Sequence, residues 1–312
     1  MEDRDNTLAP LIERPRPTIR AAMAALLMAV IGMWLASLMA ARLPLADGPG
    51  REFGYDALFY LPFVALPVAV CMRMRPGVAA SMRLNPLPLM PMLAVVSSAL
   101  LSVYAASALD GLWAALLDSL GLHEPDISVE IASSGALSLA VLHSAAIPAI
   151  FEELLCRGLV FSAFESRGTR LGAWVSALFF ALMHGNIYGL PAYLLVGAVS
   201  AFLVFALDSL YAGIAYHTVY NAIILVLLYK LPRAADAAGA AGAISWLSVA
   251  IDAMCMGLLL MMTLRMLDRR RRIMGIEAVP RVREPLRRGD WALIAAFLAV
   301  CAATGILVLM GV

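Results

Sequence analysis

Residues 146–161 read AIPAIFEELLCRGLVF, and this stretch holds three charged side chains inside a long apolar run. Glu152, Glu153 and Arg157 lie within residues 131–164, which otherwise have the composition of a membrane-spanning segment. An ionised residue at the centre of such a segment costs about 2.5 to 3.5 kcal/mol on insertion scales. The three charges therefore indicate pairing partners, a water-filled cavity or both.

The rest of the chain is also apolar. Of its 312 residues, 62% are hydrophobic and only 14% are charged, whereas charged residues make up about 25% of a soluble domain. This composition predicts an integral membrane protein in a lipid bilayer. The net charge of +1 gives no reason to expect a nucleic-acid partner. The four cysteines lie far apart in apolar runs, so they predict neither a disulfide framework nor a paired metal site.

Apolar runs of membrane-spanning length recur along the whole chain. A bilayer core about 30 Å thick takes roughly 20 helical residues to cross, and helices satisfy their own backbone hydrogen bonds in lipid. The sequence therefore predicts an all-α, polytopic bundle of about eight or nine transmembrane helices. The predicted spans are residues 21–41, 55–72, 90–109, 131–164, 171–184, 193–207, 211–229, 243–264 and 291–312.

Basic residues predict how this bundle is oriented. With a cytoplasmic N-terminus and nine spans, the inner segments hold 18 arginines and the outer segments hold 4 basic residues. Such an asymmetry is the positive-inside signature. It places the arginine-rich loop around residues 265–288 in the cytoplasm, facing lipid headgroups. The 22 arginines against one lysine indicate a GC-rich bacterial genome, so we expect a multi-pass protein of a bacterial inner (plasma) membrane.

Helical geometry separates the three charges. Glu153 and Arg157 are four residues apart and can pair on one face of a helix, whereas Glu152 is turned by about 100° and needs a different partner. Pro148 predicts a helix break that would bring both glutamates into the first turn of a new segment, where the helix dipole favours anions. The alternative is that all three charges form a purely structural salt-bridge cluster.

Two further spans carry polar residues of a kind that faces the inside of a bundle. Residues 176–187, SALFFALMHGNI, end near His184, and residues 213–222, GIAYHTVYNA, place His217 and Asn221 on one helical face. Each could be a hydrogen-bonded structural residue. Together with Glu152 they supply a base for water, imidazoles that position or donate, and an amide for an oxyanion, which are the parts needed for hydrolysis.

Two nearby groups are weaker candidates for chemistry. Cys156 follows Glu152 by four residues, but an apolar setting disfavours the thiolate and no histidine is close in sequence, so a nucleophilic role is disfavoured. His143 precedes Glu152 by nine residues, which on a continuous α-helix is the opposite face, so it is predicted to be a bystander.

These motifs resemble a known family. EELLCRG matches the pattern E-E-x-x-x-R, FALMH matches F-x-x-x-H and HTVYN matches H-x-x-x-N, in the order found in the CPBP family of intramembrane proteases, which are relatives of the type II CAAX prenyl endopeptidase. The resemblance covers roughly residues 131–230. It divides the chain into N-terminal membrane spans (1–130), a CPBP-like catalytic core (131–230) and C-terminal spans with the basic cytoplasmic loop (231–312).

The resemblance implies an intramembrane glutamic-type endopeptidase that hydrolyses a membrane-associated peptide or a membrane-anchored protein. The implied roles are a water-activating base at Glu152, a water-holding His184, an oxyanion hole, and supporting residues. His217 and Asn221 would line the oxyanion hole, while Glu153, Arg157 and Phe180 would support the reacting groups.

Three alternatives stay open from the sequence. Two histidines and a glutamate can bind zinc, but the H-E-x-x-H spacing is absent and the resemblance favours chemistry without a cofactor. A proton-coupled transporter would use the same residue types, although the matching broken helices of two related halves do not appear. A non-catalytic immunity or assembly factor could keep the fold. The substrate itself does not follow from the residues.

Overall fold

The computed structural model describes residues 16–40, 49–74, 82–124, 131, 133–230, 246–276 and 285–309. These residues form nine helices and no strand, which confirms the predicted all-α bundle. The helices are α1 (Ile19–Ala40), α2 (Pro49–Met72), α3 (Leu89–Ser119), α4 (Ser134–Arg167), α5 (Thr169–Met183), α6 (Leu190–Leu207), α7 (Leu210–Lys230), α8 (Trp246–Ile273) and α9 (Arg288–Leu309).

Most of these helices suit a bilayer. Among the described residues, six helices are long and apolar enough to cross a membrane, namely α1, α3, α4, α6, α7 and α9. Residues Tyr60–Met72 of α2 and all of α5 are shorter apolar helices. The protein is therefore a multi-pass membrane protein. The predicted span 243–264 begins in residues that the structure does not describe, and its described part belongs to α8.

Helix α4 is the centre of the bundle and departs from α-helical geometry twice. It contains two π-helical stretches, Val141–Ala146 and Leu154–Phe161. All residues from Leu155 to Glu165 are buried, and helices α1, α2, α5 and α7 pack around α4. Lipid tails are as apolar as leucine, so this packing is held by van der Waals contact and interhelical hydrogen bonds more than by the hydrophobic effect.

The predicted break at Pro148 is wrong. The helix continues through Pro148, which is the second residue of the α-helical segment Ile147–Glu153 directly after the first π-helical stretch. The glutamates therefore lie within a continuous helix, and the expected stabilisation by a helix N-terminus does not apply. Pro148 has a different effect, because it offers no N–H to the Ser144 carbonyl four residues before it.

One end of the bundle is tied together by arginines, and we call it the arginine-rich end. Arg83, in the segment before α3, donates from Nη2 to Glu165 at the end of α4 (2.5 Å) and from Nε to Asp208 after α6 (3.2 Å). The start of α7 joins them, because the Leu210 amide donates to the Arg83 carbonyl (2.8 Å).

The remaining helix ends at this side follow the same pattern. Arg16 lies 3.9 Å from Glu165, which brings in the start of α1. Arg20 lies 3.5 Å from Asp290 at the start of α9, and Arg271 near the end of α8 packs over the ring of Phe205 in α6. The arginine-rich end thus gathers the starts of odd-numbered helices and the ends of even-numbered ones, as an up-and-down bundle requires.

Candidate active site

A cavity of about 570 Å³ lies between helices α2 to α7. All four residues predicted to be catalytic line it, and so does Phe180. The supporting pair lies behind the wall, because Glu153 and Arg157 are fully buried. The remaining lining residues are Tyr60, Asp110, His143, Ser144, Pro148, Gly189, Ala192, Tyr193, Val196, Tyr220, Ile224 and Leu225.

Glu153 and Arg157 form the predicted ion pair. Arg157 Nη1 donates to Glu153 Oε1 at 2.8 Å, and Ser200 Oγ of α6 donates to Oε2 at 2.6 Å. Arg157 also donates from Nη2 to the Gly197 carbonyl at 3.0 Å. A buried pair offsets its desolvation cost only when such additional hydrogen bonds are made. This ion pair therefore joins α4 to α6 through hydrogen bonds on both partners, while Arg157 Nε has no hydrogen-bond partner among the described residues.

Glu152 has a different environment from its neighbour. Its side chain is only 12% exposed, and its Oε2 atom has no hydrogen-bond partner among the described residues. The nearest cationic or potentially cationic nitrogen is Nε2 of His184, at 3.8 Å. A buried polar oxygen without a partner is costly, so its position calls for an explanation such as a bound water or a role in the reaction. The carboxylate that helical geometry leaves unpaired is thus the one that faces the cavity.

His184 is held in a defined orientation. Its Nδ1 lies 2.7 Å from the Phe180 carbonyl, and since a carbonyl only accepts, Nδ1 carries a proton. Nε2 is then the nitrogen that faces Glu152. The imidazole stacks on the ring of Tyr193, with centroids 4.2 Å apart and planes inclined by 15°.

Helix α3 fixes the segment that carries His184. Trp113 donates from Nε1 to the Ile187 carbonyl at 2.8 Å, and Asp110 accepts from the Ala192 amide at 3.1 Å. The first contact precedes Tyr193 in the chain and the second lies in the first turn of α6. Both sides of the connection between α5 and α6 are thereby fastened to one rigid helix.

The two histidines face different glutamates. His217 Nδ1 lies 3.2 Å from Glu153 Oε1, although the contact does not have hydrogen-bond geometry, whereas His184 faces Glu152. The Phe180 ring lies between them, 4.8 Å from the His184 ring and 5.4 Å from the His217 ring. Arg157 also stacks over Phe180 at 4.4 Å. One aromatic ring therefore sets the spacing of both imidazoles.

Asn221 contacts the π-helical stretch of α4. Its Nδ2 donates to the Ser144 carbonyl at 3.4 Å. The amide therefore joins α7 to α4 beside the cavity. This contact is long, and it leaves the second amide hydrogen of Asn221 for another partner in the cavity.

His143 corrects one sequence interpretation. It lines the same cavity as Glu152, whereas the spacing of nine residues predicted the opposite face. The reason is the π-helical stretch Val141–Ala146, whose wider turn rotates each residue through a smaller angle than an α-helix does. The bystander interpretation depended on a continuous α-helix, and that premise is wrong.

Other wall residues come from helices that the motifs did not include. Tyr60 of α2, Asp110 of α3 and Tyr193 of α6 were not among the predicted site residues. Of these three, Asp110 stands out in the sequence as an acidic residue next to an apolar run. Its distance from the motifs along the chain gives no reason to connect it with them. No three His, Cys, Asp or Glu side chains in the described parts of the chain come together as a set of metal ligands.

Comparison with known families adds an independent observation. Residues 134–223 match the family described as type II CAAX prenyl endopeptidase Rce1-like. These residues are an Rce1-like domain. The match covers a little under a third of the chain and contains every predicted site residue. The match supports a CAAX-type intramembrane protease in general. No curated protein and no solved structure matched the chain.

The Rce1-like domain depends on a glycine behind the ion pair. A Cβ atom at Gly213 of α7 would lie 2.6 Å from Glu153 Oε2 and 2.9 Å from Ser200 Oγ. We expect Gly213→Ala to displace that carboxylate and to lower both thermal stability and peptidase activity. Thermal unfolding in detergent and a cleavage assay measure the two effects.

Gly257 of α8 provides the matched control for this substitution. It is also helical, and nothing lies within 4 Å of a Cβ built there. Since alanine is the better helix former, Gly257→Ala should leave stability unchanged or slightly higher. Equal behaviour of the two variants would contradict the close contact at Gly213.

Proposed function

We propose that the protein is an intramembrane endopeptidase in which Glu152 activates water for attack on a peptide bond. The observation that supports this assignment best is the isolated Glu152 carboxylate on the cavity wall, 3.8 Å from His184. A distance of 3.8 Å is too long for a direct hydrogen bond, but both atoms can reach one water molecule at ordinary distances.

The tautomer of His184 defines how that water would be held. In the neutral ring, the proton resides on Nδ1, so Nε2 accepts a hydrogen bond, as does the Glu152 carboxylate. A water between them donates one hydrogen to each group. Its lone pairs then point away from both acceptors and toward a carbonyl carbon in the cavity. As the C–O bond forms, Glu152 takes the proton and returns it to the leaving amine when the C–N bond breaks.

The tetrahedral intermediate requires donors for its oxyanion. His217 and Asn221 lie one turn apart on α7 and line the same cavity as Glu152, so we assign this function to them. His217 directs Nδ1 at Glu153, so Nε2 is the ring nitrogen on the substrate side, and it can donate to the oxyanion only in a form of the ring that carries a proton on Nε2. Donors that are fixed before the reaction can lower its barrier by about 3 to 4 kcal/mol each.

The proposed substrates are membrane-associated peptides or membrane-anchored proteins, in a bacterial inner membrane. The test uses purified protein in detergent or vesicles with a panel of such peptides, and mass spectrometry of the two fragments. Internal cleavage by the wild-type protein, absent from a preparation that lacks the protein, supports the proposal. Intact peptides across the panel, with a correctly folded protein, would favour a non-catalytic function.

Cys156 distinguishes water activation from cysteine catalysis. Its thiol is completely buried and contacts Met183, with the two sulfur atoms 3.8 Å apart. Because the Cys156 side chain is not on the cavity wall, we expect Cys156→Ser to retain most of the peptidase activity. The measurement is kcat/KM with the same peptide. A loss of a thousandfold or more in a folded variant would assign the nucleophile to Cys156 instead of water.

Zinc dependence can be tested directly. Since the described residues provide no cluster of three metal-binding side chains, we expect full activity after exhaustive chelation. The measurement compares the cleavage rate before and after dialysis against a chelator, with zinc added back to a second portion. Loss of activity on chelation that zinc restores would overturn metal-free water activation.

A further inference from the structure

The cavity lies at the end of the bundle opposite the arginine-rich end. Its lining residues come from the last third of α3, residues 143–152 of α4, the first half of α6 and residues 217–225 of α7. Asp110, His143, Tyr193 and Leu225 represent these four segments. The α7 segment comes nearest to the arginine-rich end, because His217 follows Leu210 by seven residues. The other three segments lie farther along their helices from the end that Arg83 and its partners tie together.

A closely packed layer separates the cavity from the arginine-rich end. Below Glu152, the α4 side chains from Leu155 to Glu165 are all buried. The ion pair of Glu153 and Arg157 joins α4 to α6 at the top of this layer. A second buried cluster, Cys71, Met82, Val204 and Leu210, closes the space between α2, α6 and α7. In the described structure, buried side chains therefore separate Glu152 from that end.

The charge asymmetry identifies which end is cytoplasmic. Of the 18 arginines that the sequence assigns to the inner side, 13 belong to the described residues and lie at or near the arginine-rich end. Of the 4 outer basic residues, Arg51 near the start of α2 and Lys230 at the end of α7 are described, and both lie at the opposite end. The positive-inside rule assigns the arginine-rich end to the cytoplasm. The contacts between helix ends show successive helices running in opposite directions, as the nine predicted spans require. Helix ends of the predicted inner side therefore come together at one end of the bundle.

We infer that the catalytic cavity opens to the non-cytoplasmic half of the membrane. The substrate class is then the extracytoplasmic juxtamembrane segment of a membrane-anchored protein or peptide, and not a chain end presented from the cytoplasm. The proposed peptidase function is the premise of this substrate class, whereas the side on which the cavity opens stands on the packing and the arginines alone.

Cysteine labelling in intact cells tests the sidedness. Glu124→Cys lies after α3 at the cavity end, Met274→Cys lies after α8 at the arginine-rich end, and both positions are exposed. Ser144→Cys reports on the cavity itself. With a membrane-impermeant maleimide added outside, Glu124→Cys and Ser144→Cys should react, and Met274→Cys should react only after permeabilisation. The wild-type protein gives the background. The reverse pattern would overturn the inference.

Cleavage in sealed vesicles tests the substrate class. A water-soluble peptide that detergent-solubilised protein cleaves is added outside right-side-out or inside-out membrane vesicles. We expect at least tenfold faster cleavage with right-side-out vesicles. Equal rates, or faster cleavage with inside-out vesicles, would refute the sidedness while leaving the peptidase function intact. If solubilised protein cleaves nothing, the peptidase function fails, and the labelling of Ser144→Cys alone decides on which side the cavity opens.

Discussion

Replacing Glu152 by glutamine is expected to abolish peptide hydrolysis and to leave the fold intact. Glutamine keeps the size of the side chain but cannot take a proton from water. Loss of a general base typically lowers a rate by 10² to 10⁴, and because the same carboxylate also returns the proton, we expect a decrease of about 10³ or more in kcat/KM. Fragment formation by the purified variant, followed by mass spectrometry, measures this loss.

The control for this substitution is Glu124→Gln, which changes an exposed glutamate outside the cavity and should retain wild-type activity. Glu152 has no hydrogen-bond partner for Oε2, so neither Glu152→Gln nor Glu152→Ala should lower the unfolding temperature. If both variants unfold, or no longer insert into the membrane, the charges form a structural cluster, which is the alternative that the sequence left open. If they cleave at the native rate, Glu152 is not the base.

The sequence alone predicts which glutamate pairs with Arg157 and which does not, because this depends only on spacing within one helix. A spacing of four residues lets Glu153 reach Arg157 in any helix, and the turn of about 100° per residue separates Glu152 from that pair. The structure has this pair at 2.8 Å. The helical class of the fold is equally local, since an apolar run in lipid satisfies its backbone only by forming a helix.

The geometry that brings the motifs together is not local. A simple span count places His217 nearer the inner face than His184, which predicts that at least one helix is shifted, tilted or broken where the two imidazoles converge. In the structure both line one cavity, and His184 faces Glu152 while His217 faces Glu153. Two adjacent glutamates of α4 therefore each face a histidine from a different helix. No pattern in the sequence specifies this, since it depends on how α5 and α7 pack against α4.

The π-helical stretches explain the errors around α4. A change from α to π geometry needs no glycine or proline signal, and it alters the direction of every later side chain relative to those before it. His143 consequently lines the cavity, and the helix passes Pro148 without a break. Asp110 and Trp113 were missed for another reason, because their contacts join α3 to residues more than 70 positions later in the chain.

The buried ion pair gives the largest stability effect that we expect. Glu153→Gln removes one charge of a pair whose side chains are both 0% exposed, and leaves the Arg157 guanidinium uncompensated. Breaking a buried pair in this way costs about 3 to 5 kcal/mol. The free energy of unfolding in detergent, measured against the wild-type protein, should fall by this amount.

An ion pair with the same spacing on the surface provides the control. Asp268 and Arg272 are also four residues apart and 2.6 Å from each other, but the Arg272 side chain is 71% exposed. Asp268 also pairs with the largely buried Arg271, so Arg272→Gln is the variant that removes only the exposed contact. Water screens that contact, so Arg272→Gln should cost at most about 1 kcal/mol. Combining Glu153→Gln with Arg157→Leu removes both buried charges and should recover part of the lost stability, because no unpaired charge remains. Equal losses for Glu153→Gln and Arg272→Gln would contradict a stabilising function of the buried pair.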